Sequence, residues 1–205
     1  MVIGLLVAAD IGVRSVAESQ LRDRMAAEAG VPPDSTTARI ESFPFLARLL
    51  TSGTVARIRL SAADVTVEGL TFARVGLDVE DVTFERDRLL SEGDVVLSSL
   101  ERGTAVAEVT QGELSERLGV AVTLEAGRAR VQVAGQTVTA TASVSDNTLR
   151  LSVAGFSVPA LRIPQLPLVP CVADAEILPG RVRLSCSVDE VPAGLVGRPL
   201  DEVKL

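Results

Sequence analysis

Histidine, tryptophan and tyrosine are absent from this chain of 205 residues, phenylalanine occurs five times, and there are two cysteines and one lysine, Lys204. Each shortage excludes chemistry. Without histidine there is no Ser-His-Asp or Cys-His pairing, no zinc helix carrying two histidines, and no side chain that titrates near neutrality without help. A lysine one residue from the C-terminus leaves only unusual serine-based routes to a hydrolase, so no catalytic residue is assigned and no enzyme activity is expected. Aromatics at 2% offer almost nothing for bases to stack on. With 27 acidic against 20 basic side chains, the net charge of -7 replaces the basic footprint that nucleic acid requires. The densest acidic stretch, Asp78, Glu80 and Asp81, has neither the spacing nor the glycine of a calcium loop and reads as a solvated strand face. No metal and no cofactor are expected. No apolar run approaches the ~20 residues that cross a bilayer as a helix.

What is present is apolar enough to fold: 47% of residues are hydrophobic, 23% are charged, and the mean hydropathy is +0.34. The first ten residues hold an apolar stretch, Val2 to Ala9, too short to span a bilayer and without the basic residues that open a secretory signal. We read 1-9 as the tail of a signal or membrane anchor, which puts the protein outside the cytoplasm, and 10-205 as a single domain. The alternative is that Val2 to Ala9 forms the first turns of a core helix. The cysteines bear on the same question. Cys171, Ala173, Ala175 and Ile177 share one face of a strand, and Val182, Leu184, Cys186 and Val188 one face of the next. If Ile177 lies opposite Gly180, Cys171 faces Cys186 across the hairpin and a disulfide becomes feasible. A type II turn centred on Pro179 and Gly180 shifts that register unless a bulge restores it. Two buried free thiols are the alternative; an oxidising compartment would preserve the bond.

Asp10 is placed to cap a helix over 11-29, with Val13, Val16, Ala17, Leu21, Met25 and Ala29 near helical spacing and Gly30 with Pro32-Pro33 ending it. From Thr36 onward the pattern is mostly alternation: 36-43, 54-68, 70-86, 94-100, 104-110, 121-126, 128-134, 136-144, 147-153 and the cysteine hairpin, interrupted by helical pieces at Pro44-Leu50 and Gln111-Leu118. The fold class is α+β, mainly antiparallel β with a long N-terminal helix, and Val158 to Pro170 is the only candidate seam. Strands 54-68 and 70-86 would each extend about 50 Å, more than the roughly 45 Å diameter of a globule this size. Ala56, Ile58, Leu60 and Ala62 share one face, but Val65 and Val67 take the other, and a second switch falls between Phe72 and Val75. A bulged, twisted ribbon is expected, curling on the helix to enclose an apolar groove.

Ile40-Glu-Ser-Phe-Pro-Phe-Leu-Ala-Arg-Leu-Leu-Thr-Ser-Gly53 resembles the signature of the LmeA-like phospholipid-binding family of actinobacterial envelope proteins, through Ile40, Phe43, Pro44, Phe45, Leu46, Leu50 and Gly53, with Ser42 in place of the usual glycine. The resemblance extends to the N-terminal helix, the long hairpin, the Gln111-Gly119 helix and the closing Leu166-Pro167-Leu168 segment. It implies a tubular lipid-binding fold, a curled sheet wrapped around a long helix, holding phospholipid in an apolar cavity near a membrane surface. It also implies a periplasmic role in envelope lipid or lipoglycan maintenance. Phe43, Phe45, Leu46, Leu49, Leu50, Ile58, Leu60, Phe72 and Phe84 are the candidate lipid-lining residues, and Arg48, Arg57 and Arg59 the candidate headgroup contacts. The plainer reading of the apolar set is ordinary core, and of the arginines a solvated face. A structural or protein-interaction envelope domain with a filled core is the rival function.

Overall fold

In the computed structural model, which describes residues 2–133, 135–145, 148–153, 160–163, 174–191 and 197, Asp10 does not begin the first helix. Helix α1 runs from Val2 to Ala29, so the apolar stretch Val2–Ala9 is continuous with it, and Asp10 lies inside it, 4% exposed. Gly30 at φ 65° ends the helix as expected. Its sheet-facing side carries Ala17, Leu21 and Ala26, whereas Val13 and Val16, which the spacing placed in the core, are exposed. The reason is geometric: within the sheet only two neighbouring strands cover α1, so the buried stripe is narrower than the apolar one.

Those strands are β1 (Thr36–Ile40) and β2 (Thr54–Val67), followed by β3 (Leu70–Phe84), β4 (Leu97–Ser99), β5 (Arg102–Thr110), β6 (Val122–Glu125), β7 (Arg128–Val133), β8 (Gln136–Ser145), β9 (Thr148–Val153), β10 (Leu161–Arg162), β11 (Asp174–Leu178) and β12 (Arg181–Val188). They form two antiparallel sheets. One has the order β1-β2-β3-β5-β12-β11, with β4 beside β3; the other has the order β10-β9-β8-β7-β6. Helices α2 (Phe45–Ser52) and α4 (Gln111–Leu118) match the two expected pieces, and α3 (Arg86–Ser91) occupies the stretch between the expected strands 70-86 and 94-100, which the alternation left unassigned apart from Arg86. The first, third and fourth strands are shorter than the alternation indicated. Arg88 explains part of α3, pairing with Glu92 one turn on and with Asp94 beyond.

The long hairpin turns at Glu68 and Gly69, both at positive φ, the two-residue geometry whose twist suits antiparallel strands. Its register is constant from Thr54↔Thr83 to Val67↔Leu70, so the expected bulge between β2 and β3 is not there. The two expected switches instead fall together at one residue in left-handed backbone, Asp64 at φ 55°, and a second such residue, Asp81 at φ 45°, makes a switch that the alternation did not mark. They sit opposite Ala73 and Ala56, the two positions where the ladder of Cα partners is interrupted. Aspartate tolerates this conformation better than branched residues, so each kink reverses the burial parity without adding a residue.

The larger core lies between the sheets, joining Leu70, Phe72, Val109 and Val182 to Leu114 and Leu118 of α4 and to Val131, Leu149 and Leu151. Helix α4 is set by local sequence: Thr110 accepts from the Glu113 amide at 3.2 Å, and Gly119 closes it at φ 65°. The second core, Ile40, Phe45 and Val55 with Ala17, Leu21, Leu46, Leu49, Ile58 and Phe84 around it, joins α1 and α2 to the first strands. In the last hairpin Gly180 takes φ 75° and Leu178 pairs with Arg181, so Ile177 faces Val182 rather than Gly180. The tight Pro179-Gly180 turn thus replaces the register expected for this hairpin, but Cys186 is disulfide-bonded and no cysteine is free among the described residues, so the alternative of two free thiols does not hold. Cys186 is half-buried across from Ala105; Cys171, and most of the Val158–Pro170 seam, lie outside the described residues.

Candidate functional site

Pro44 stands at the N-cap of α2 and has no side chain to cap it. Asp10 of α1 does so from across the corner, its Oδ1 accepting from the Leu46 amide at 2.6 Å. Glu18, two turns on, accepts from the Ile40 amide at 2.8 Å. The two carboxylates therefore dock α1 against both flanks of the Phe-Pro-Phe-Leu motif. The Phe43–Pro44 bond is cis. Phe45 is buried at 4% and Phe43 is 66% exposed, so one phenylalanine anchors the corner while the other projects to solvent. Leu46 and Leu49 pack beneath, and Leu50 is exposed. Ser42, where the family signature has glycine, is buried in the same corner without a positive φ.

Seven of the nine lipid-lining candidates thus gather at this end: Phe43, Phe45, Leu46, Leu49, Leu50, Ile58 and Phe84. Phe72 does not, because it belongs to the core between the sheets. Leu60 occupies a third environment. It lies in a row across five strands, Ala38↔Leu60↔Leu77↔Ala105↔Cys186, every member of which is half-buried. Val79, one pair further along, is half-buried as well. Among the described residues neither core includes Leu60, Leu77, Val79 or Ala105. The sheet therefore presents an aliphatic band between its two cores, of the small and branched side chains that shield hydrocarbon without polar interruption. Leu77, Val79 and Ala105 were not among the sequence candidates. Their alternation was visible, but only the strand order β2-β3-β5-β12 lines them up.

Arg57 and Arg59 alternate with Ile58 and Leu60 and so point to the opposite face of the sheet. There they are engaged: Arg57 donates twice to Asp78, at 2.7 and 2.6 Å, and also reaches Glu80, while Arg59 bridges Asp78 and Glu41. Arg48 lies 3.9 Å from Asp81. The three headgroup candidates are therefore not brought to one point, and each has a carboxylate beside it. The Arg57 hydrogen bond, reinforced by its charge and by Arg59, holds the Asp78 carboxyl below the usual aspartate range. Because the folded-state value is depressed, this network adds stability above the unfolded value of about 4 and loses it as pH falls through the folded one. We expect Asp78→Asn to remove about 1 kcal/mol at pH 7 and progressively less as pH falls through the depressed folded-state value, so that urea midpoints of variant and wild type converge in acid. Parallel curves would show that the pair is energetically silent.

Among the described residues no group of three or more His, Cys, Asp or Glu side chains could hold a metal ion, and no helix is long and apolar enough to cross a membrane. No curated protein and no solved structure matches the chain. The model of the LmeA-like phospholipid-binding family matches residues 8–197, from α1 through the last hairpin. An α+β fold of mainly antiparallel strands with a long N-terminal helix, a Phe-Pro-Phe-Leu corner and a match over most of the sequence lead to one assignment: this chain belongs to the LmeA-like phospholipid-binding family.

Proposed function

We propose that the protein binds phospholipid without chemistry, laying acyl chain along the band of Leu60, Leu77, Val79 and Ala105, and that it exchanges this lipid with a membrane surface in the cell envelope. The band carries the reading: a row of half-buried aliphatics that completes neither core is what an acyl chain would cover. Each methylene withdrawn from water is worth about 0.8 kcal/mol, but relative to a bilayer that gain nearly cancels. A band of comparable apolarity therefore favours reversible loading and release.

The distribution of exposed apolar side chains supports a membrane-facing end. Among the described residues, the large ones are Val7, Ile11, Val13 and Val16 of α1, Phe43 and Leu50 at the corner, and Leu90 and Val95 around α3. None lies on the second sheet, and α2 touches both α1 and α3. Phe43 and its neighbours would dip into the interface while the band receives the chain. Export or anchoring through the N-terminal segment, and a bond between Cys171 and Cys186, belong to the same envelope reading.

Native mass spectrometry of gently purified protein, followed by organic extraction, tests this. A phospholipid at near-stoichiometric occupancy is the expected result. A bare mass that persists after incubation with phospholipid vesicles would replace the reading with a structural envelope domain.

A further inference from the structure

The face of the first sheet opposite the aliphatic band holds a cleft of about 630 Å³. Its floor is the row Thr37↔Ser61↔Gly76↔Val106, none of them larger than valine. A Cβ on Gly76 would meet only the Leu60 carbonyl, at an ordinary 3.6 Å, so the glycine leaves room without being demanded by its backbone. One wall is Arg39↔Arg59↔Asp78↔Thr104 and the other is Arg74↔Glu108↔Arg183. Four arginines against two carboxylates line this space, a local reversal of sign in a chain of net charge -7.

The carboxylates are already committed. Asp78 is held by Arg57 and Arg59, and Glu108, 5% exposed, is held by Arg181 and Arg183 at 3.1 and 3.0 Å. Arg39 and Arg74 have no ion pair or hydrogen bond from their guanidinium groups among the described residues. Arg39 stands directly across from Arg59, a like-charge pairing that costs stability unless an anion bridges it. Arg74 stands across from Glu108, whose oxygens are taken. Thr37 and Ser61 hydroxyls, 2.7 Å apart, and Thr104 add neutral donors between the walls.

We infer that this cleft binds a phosphate ester, with Arg39 and Arg74 as its unpaired guanidinium donors and the hydroxyl floor beneath. A phosphate carried by a lipid headgroup and one carried by a soluble molecule share this chemistry. The site lies on the other face from the acyl band, so it does not depend on lipid occupying that band.

Binding of inorganic phosphate and inorganic pyrophosphate would be titrated calorimetrically at fixed ionic strength for the wild type, for Arg39→Gln with Arg74→Gln, and for Arg128→Gln on the second sheet. Co-sedimentation with vesicles, wholly zwitterionic or containing an anionic phospholipid, would be measured in parallel. The expected result is saturable binding that weakens at least tenfold in the double variant and is unchanged in Arg128→Gln. Response to the soluble anions identifies a free phosphate site, and response to anionic vesicles alone identifies a headgroup. Absence of binding to every probe, or equal binding by the double variant, would overturn the inference. The double variant should melt no lower than wild type, since a like-charge pair is relieved, and its lipid occupancy by native mass spectrometry should be unchanged, which separates this failure from that of the acyl band.

Discussion

Gly53→Ala is expected to lower the unfolding free energy by about 3 kcal/mol, an unusually large cost for one methyl group. Gly53 closes α2 in left-handed backbone at φ 69°, and a Cβ there would lie 2.5 Å from the Phe84 carbonyl oxygen. That oxygen is backbone and cannot rotate aside, and the Phe84 amide donates to the Gly53 carbonyl at 2.8 Å, so the two segments are clamped at this distance. The close approach joins the end of α2 to the end of β3 and thereby fixes the corner that carries Phe43. Gly119→Ala provides the comparison. Gly119 has nearly the same φ, 65°, but a Cβ there would meet nothing within 4 Å, so the change should cost only the conformational penalty of about 1 kcal/mol. Urea denaturation of both variants separates the two contributions. Equal losses would show that backbone conformation alone explains Gly53.

Leu60→Arg is expected to reduce lipid occupancy at least tenfold by native mass spectrometry, because a guanidinium in the centre of the aliphatic band must stay hydrated where an acyl chain would lie. Leu60 is half-buried, so loss of folding is a competing outcome for this variant. Leu77→Arg, its direct cross-strand partner, supplies a second disruption of the band, and Leu60→Ala shortens the side chain without introducing charge. The alanine variant should fold and keep a reduced but measurable occupancy. Phe43→Ser gives the contrasting pattern: with Phe43 66% exposed, stability and lipid occupancy should hold while uptake from vesicles slows. Wild-type occupancy in folded Leu60→Arg and Leu77→Arg would remove the lipid from this face.

Much of this architecture was legible because its causes are local. Two-residue alternation marks strands wherever one face of a sheet is buried, and it located nearly every strand here. Thr110, Glu113 and Gly119 delimit α4 through hydrogen bonds within one helix length. The motif from Phe43 to Gly53 likewise carries its helix and its stop in contiguous residues. Missing residue types were equally informative, since a histidine-free chain excludes whole mechanisms whatever its fold.

Tertiary structure decided what depends on residues far apart in the chain. Asp10 looked like the cap of its own helix, but it caps α2, 36 residues away, because Pro44 leaves that helix without a side-chain acceptor. The face reversal at Asp64 in the long hairpin was visible, yet left-handed backbone produces it rather than a bulge, a choice made by backbone torsion that alternation does not encode. Arg57 and Arg59 looked available for a headgroup until pairing set Asp78, Glu80 and Glu41 beside them. Within the cleft, the cations left unpaired among the described residues are Arg39 and Arg74, and on the other face the aliphatic band runs through Leu77 and Ala105. Sequence by itself determined which residues alternate and which chemistry is absent; strand order determined which of them meet, because cross-strand neighbours are set by register and not by distance along the chain.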